Sequence, residues 1–142
     1  MNISEQSYQV PFASNMIHAK KWYTDAADHA LAPIILMHDS LGCVALWRDF
    51  SARLVQATAR VVYAYDRLGF GLSDASTQSL AHSFVITEAE QTFKAVLDYF
   101  SIQNFVVLGH SLGGGMSVAI AAAYPERCQG LFQSLHSMRL KR

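Results

Sequence analysis

The segment Phe105–Gly115 constrains this chain more than any other. The apolar run Phe105-Val106-Val107-Leu108 is fit for a strand buried on both faces. It leads without a break into Gly109-His110-Ser111-Leu112-Gly113. A small-residue helix is predicted from Ser111 to Tyr124, stopped by Pro125. A strand that enters a helix through G-x-S-x-G turns sharply, and the serine at the corner takes a strained backbone. Gly109 and Gly113 are then the positions that must leave room for close packing. Such a corner lifts the serine hydroxyl clear of the sheet, at the mouth where the strands end. It also sets the serine at a helix N-terminus, where free N–H groups and the helix dipole favour developing negative charge. The competing reading is a glycine-rich turn that only packs, or one that binds phosphate. A phosphate loop wants G-x-x-x-x-G-K-[ST] or G-x-G-x-x-G, and the segment has neither.

Elsewhere the pattern alternates. Ile34–Met37, after Pro33, is a second buried run, and Arg60–Tyr65 a third, β-branched and aromatic. Between them Leu46, Phe50 and Leu54 recur at helical spacing, widened by Trp47 and Val55. A Gly/Ser-rich loop is predicted from Arg67 to about Ala81. Thr87-Glu88-Ala89-Glu90 has the form of a capping box, opening a helical stripe of Ala89, Phe93, Val96, Leu97 and Phe100. Strand and helix thus alternate three times, which predicts an α/β fold with a mostly parallel sheet and helices on both faces. Tyr8–Trp22 is predicted as an antiparallel hairpin at the sheet edge. The chain is read as one domain over 1–142, with edge strands in 1–32, the core in 33–125, and a partial strand and tail in 126–142.

Composition narrows the function classes. Eleven basic residues balance eleven acidic ones, so net charge points to neither nucleic acid nor an anionic membrane. The longest apolar stretch, Met116–Ala123, is too short to span a bilayer, and Met1–Val10 lacks the basic-then-apolar order of a secretory signal. Cys43 and Cys128 make no metal-ligand pattern with any histidine and allow at most one bridge. These features together lead us to expect a reduced, cytoplasmic setting without metal or cofactor.

Two further segments add a resemblance. Ile34-Ile35-Leu36-Met37-His38-Asp39-Ser40-Leu41-Gly42 resembles the strand and H-G-x-x-G loop that build the oxyanion hole in α/β-hydrolases. Asp66-Arg67-Leu68-Gly69-Phe70-Gly71-Leu72-Ser73-Asp74 resembles the D-x-R/x-G-x-G-x-S segment after the fourth strand in the epoxide-hydrolase and esterase branches. With the G-x-S-x-G corner, the match covers residues 33 to 125 in family order. The resemblance implies an α/β-hydrolase-type sheet truncated at about the sixth strand. It implies Ser111 as nucleophile and the backbone N–H groups of Ser40 and Leu112 as oxyanion donors, with Gly109, His110 and Gly113 forming the elbow. Asp39 departs from the family, which most often has glycine there, and its carboxylate is expected to weaken anion binding nearby. His38 and Asp66 are read as structural, and His110 is expected to point away from the nucleophile.

Serine needs an adjacent base, itself oriented by a carboxylate, and in this family both follow the nucleophile in the chain. After Ser111 the sequence holds one acid, Glu126, read as a helix-end cap, and one histidine, His136. The triad is therefore read as incomplete. The three basic residues within Met138–Arg142 suggest either a solvated tail or a truncated or frame-shifted product. An open sheet edge is expected to seek a second copy or a complementing chain. The expected activity is hydrolysis of a small-molecule carboxylic ester or related acyl compound. The alternatives are a non-catalytic ligand- or partner-binding protein of the same fold, or a reading frame without function.

Overall fold

The computed structural model describes residues 2–39, 42–75 and 84–134. The hairpin forms from β1 (Ser4–Phe12) and β2 (Asn15–Tyr23), in register through Val10 and Ile17. Four further strands follow: β3 (Ile34–Met37), β4 (Val62–Tyr65), β5 (Phe105–His110) and β6 (Cys128–Ser134). The sheet order is β1-β2-β4-β3-β5-β6. β1, β2 and β4 pair antiparallel, while β4, β3, β5 and β6 run parallel. Every residue of β3 and β4 is buried, as runs without polar alternation require between two helical layers.

One face carries α1 (Phe50–Thr58), which packs Phe50, Leu54 and Val55 against Trp22, Leu36 and Val62. The other carries α3 (Phe93–Tyr99) and α4 (Leu112–Ala123), with Phe93, Leu97, Met116 and Ile120 against Ile35, Phe105 and Val107. Alternation along β5 sends Phe105 and Val107 to this second layer and Val106 and Leu108 to the first. The register pairs Met37 with Gly109. The segments after β3, β4 and β5 therefore emerge together at one edge of the sheet.

Two local expectations fail for identifiable reasons. The stripe beginning at Leu46 is not one helix: Val44–Trp47 is a 3-10 turn, and Arg48 at φ 52, ψ −127 separates it from α1. Leu46 is consequently 57% exposed, and Val44 takes the inner position. The capping box also does not form. Helix α2 (Phe84–Thr87) precedes it, and Thr87 has helical angles and makes no side-chain cap. Both cysteines are free thiols. Ser40, His136 and the tail beyond 134 lie outside the described residues, as does the end of the loop expected to reach Ala81.

Candidate active site

Ser111 links β5 to α4 at φ 56, ψ −115, a backbone conformation that side chains rarely adopt. Close packing on both sides holds it there. A Cβ on Gly109 would overlap the carbonyl of Gly113, and a Cβ on Gly113 would overlap the carbonyl of Met37. The two glycines let the first turn of α4 lie directly on β5 and β3. Ser117 seals this contact, its buried hydroxyl donating to Gly113 O at 2.8 Å. The Ser111 N–H donates to Ser134 O at 2.7 Å, tying the corner to the end of β6. Ser111 itself is exposed. The first helical hydrogen bonds are donated to its carbonyl by Gly114 and Gly115, so the N–H of Leu112 precedes them at the helix start.

Beside the corner, His38 is 3% exposed and bonded at both ring nitrogens. Its Nε2 accepts from the Arg67 N–H at 3.0 Å, which assigns the proton to Nδ1, and Nδ1 donates to Asp39 O at 2.7 Å. Arg67 Nη2 donates to the same carbonyl at 2.7 Å, and the Gly42 N–H at 3.2 Å. The guanidinium and the imidazole both pack on Phe70, at 4.4 and 5.1 Å. His38 is thus a brace between the segments after β3 and β4. Asp39 needs no left-handed backbone, so a side chain there carries no φ strain.

Burial, reinforced by the Arg67 charge, lowers the His38 imidazole from its ordinary 6.5 to about 4. Its neutral form therefore stabilises the fold fully above pH 6.5, and this contribution is lost as pH falls toward 4. The loss approaches about 3 kcal/mol below pH 4. Imidazole NMR is expected to give a His38 midpoint near 4, and denaturant titrations at pH 7 and 5 should show the decline. A midpoint near 6.5 would mean that the brace is open.

Asp66 holds a second brace. Its Oδ1 accepts the Val44 N–H at 2.6 Å, and its Oδ2 accepts the Leu72 N–H at 3.0 Å and lies 2.9 Å from His18 Nδ1. Ser73 Oγ donates to the Asp66 carbonyl at 2.5 Å and accepts from the His18 N–H. Filled by these partners, the buried carboxylate acts as a structural hub for β2 and both loops. His110 turns toward the Asp39 carboxylate, 4.0 Å from its Nε2, and its buried Nδ1 has no hydrogen-bond partner. Glu126 is exposed after α4. Among the described residues, no side chain hydrogen-bonds to Ser111 Oγ, and no cluster of His, Cys, Asp or Glu could hold a metal ion.

A profile of the alpha/beta hydrolase fold matches residues 32–133. The chain belongs to this family. It is 33% identical over 104 residues to the human 1-acylglycerol-3-phosphate O-acyltransferase ABHD5, covering 70% of this chain and 28% of that protein. It is 33% identical over 102 residues to the 2-hydroxymuconate semialdehyde hydrolase of Pseudomonas sp. strain CF600, covering 70% of this chain and 34% of the relative. The chain thus spans about a third or less of the length of these relatives. Among solved structures, a CIB-like hydrolase from Thermoplasma acidophilum superposes with a TM-score of 0.76 at 22% identity, covering 93% of this chain and 63% of the other. That likeness concerns the fold.

Within this alpha/beta hydrolase, three side chains central to the site carried little signal in the sequence. His18 belongs to no motif, Glu88 stood only inside the expected capping box, and Arg67 stood in a motif without an assigned contact. Their partners lie far away in sequence: His18 and Asp66 are 48 positions apart, and Glu88 and Tyr65 are 23 apart. Among the described residues, no helix is long and apolar enough to cross a membrane.

Proposed function

We propose that this chain carries the nucleophile and oxyanion loop of a serine acyl-transfer site acting on carboxylic esters or related acyl compounds. The observation that carries this reading is the strained, exposed Ser111 at the N-terminus of α4, at the edge where β3 and β4 also end. In the proposed reaction Ser111 Oγ attacks the acyl carbonyl and loses its proton to a base. The carbonyl oxygen becomes an oxyanion, held by the N–H of Leu112 and that of Ser40. Collapse expels the alcohol or thiol and leaves an acyl-serine, which water then hydrolyses. The human relative's name specifies an acyltransferase and the bacterial one a hydrolase, so the acceptor is open to being an alcohol or water.

The base and its carboxylate partner are expected from residues beyond those described or from a second chain. The outer edge of β6, with Leu131 and Phe132 exposed, offers that chain a strand to pair with. Stopped-flow hydrolysis of a chromogenic acyl ester tests the reading. The expected result is a burst of product equal to the enzyme, with the acyl mass trapped on Ser111 and both lost in Ser111→Ala. The second reading is non-catalytic ligand binding by the same fold. It expects no burst and equal ligand affinity for Ser111→Ala.

A further inference from the structure

Strands β3, β4, β5 and β6 run parallel, and all begin at the edge of the sheet opposite the Ser111 corner. A cavity of about 310 Å³ opens at that edge. It lies between residues 29–33 ahead of β3, Val61 and Tyr63 at the start of β4, residues 100–104 ahead of β5, and Gln129 on β6. The volume falls in the range of small-ligand sites. The six residues of β5 set it about 20 Å from Ser111. Its walls are pinned from behind. Arg60 Nη1 donates to Ala32 O at 2.7 Å, and Arg127 donates to Gln103 O at 2.9 Å and to Ile102 O at 2.7 Å. The segment before β3 is held by the Leu31 N–H on Asp28 O and by the Val106 N–H on Pro33 O. The cavity is thus preformed, which lowers the ordering cost of binding.

The floor is apolar, with Ala32, Val61, Tyr63 and Ile102 all buried. The rim is polar, with His29, Ser101, Gln103, Asn104 and Gln129 exposed. Amide and hydroxyl side chains both donate and accept hydrogen bonds. Among the described residues, no Asp, Glu, Lys or Arg lines the cavity. A charged ligand would lose its water there without meeting a counter-charge. Floor and rim together suit a neutral ring with one apolar face and hydroxyl groups at its edge. The aromatic side chains leave no slot between them for a planar heterocycle. Phe100 already meets Tyr8, Tyr63 and Tyr99 at centroid distances between 4.6 and 4.9 Å. A sugar needs only a one-sided contact with its C–H face.

We propose that this cavity is a second binding site, for a neutral monosaccharide or disaccharide, remote from Ser111 and independent of the acyl-transfer reading. The apolar face of the sugar rests on Tyr63 and Ile102, and its hydroxyls bond the side-chain amides of Gln103, Asn104 and Gln129. Titration of the full chain with glucose, galactose, N-acetylglucosamine and maltose, followed by amide NMR, tests the proposal. At least one of these sugars is expected to give saturable shifts at the side-chain amides of Gln103, Asn104 and Gln129, and none at residues 109–113. The phosphorylated and amino analogues of that sugar should bind about tenfold more weakly. Asn104→Asp places a charge on the rim at nearly constant shape and should weaken binding about tenfold. Gln129→Ala, which removes an exposed side chain, should weaken it about fivefold. The dispersion of the same spectra shows whether each variant is folded. The proposal is overturned if no sugar of the panel shifts the rim amides, or if the shifts centre on residues 109–113. It is also overturned if the charged analogues bind as well as the neutral sugar, or if both folded variants keep the affinity of the unmutated chain.

Discussion

Replacing Gly113 with alanine is expected to cost about 4 kcal/mol or more, enough to unfold much of the population of an ordinary domain. The added Cβ would fall on the carbonyl of Met37 and within 2.7 Å of His38 O. These are backbone atoms of the central strand and the segment that follows it, so no rotamer change relieves the overlap. Relief requires α4 to lift from the sheet, which opens the contacts of the buried Met116 and Ile120. Core overpacking usually costs 1–3 kcal/mol when side chains can adjust, and here they cannot. Gly115 provides the internal control, since a Cβ there meets nothing within 4 Å. Gly115→Ala is expected to be neutral or to stabilise by about 1 kcal/mol through helix propensity. Urea titration of both variants reads the difference. Equal midpoints would mean that α4 does not lie on β3 as described.

Asp66→Ala is expected to cost about 3–5 kcal/mol. It strands the Val44 and Leu72 N–H groups and leaves His18 Nδ1 facing an empty space. Asp66→Asn keeps the volume and one acceptor, so its cost should be smaller, about 1–2 kcal/mol. Comparison of the two separates a structural carboxylate from a catalytic one. The structural account expects Ser111 reactivity in Asp66→Asn to follow the folded fraction. A variant that stays folded but loses reactivity would assign Asp66 to the chemistry instead.

The parts of this molecule that were legible in the sequence are those governed by local sterics and short-period burial. The corner at Ser111 was readable because only glycine fits at Gly109 and Gly113, and the runs at Ile34–Met37 and Val62–Tyr65 because a strand covered on both faces is apolar throughout. Helix starts were less legible. Thr87 and Glu90 match a cap by type, yet α2 already runs through Thr87, so its N–H needs no such partner. Leu46 failed because one strained residue, Arg48, resets the helical phase. The braces through His18, Asp66, His38, Arg67 and Glu88 were the least legible, since each joins segments that only the finished sheet brings together.

The most direct test of the account is covalent labelling of the full chain with a fluorophosphonate probe, followed by intact mass and peptide mapping. The account expects a single adduct at Ser111, formed at neutral pH and absent from Ser111→Ala. Should the base come from a second chain, the adduct should appear only when that chain is present. A folded protein that gains no adduct, alone or with the remainder of a relative's sequence supplied in trans, would contradict the assignment of Ser111 as an activated nucleophile.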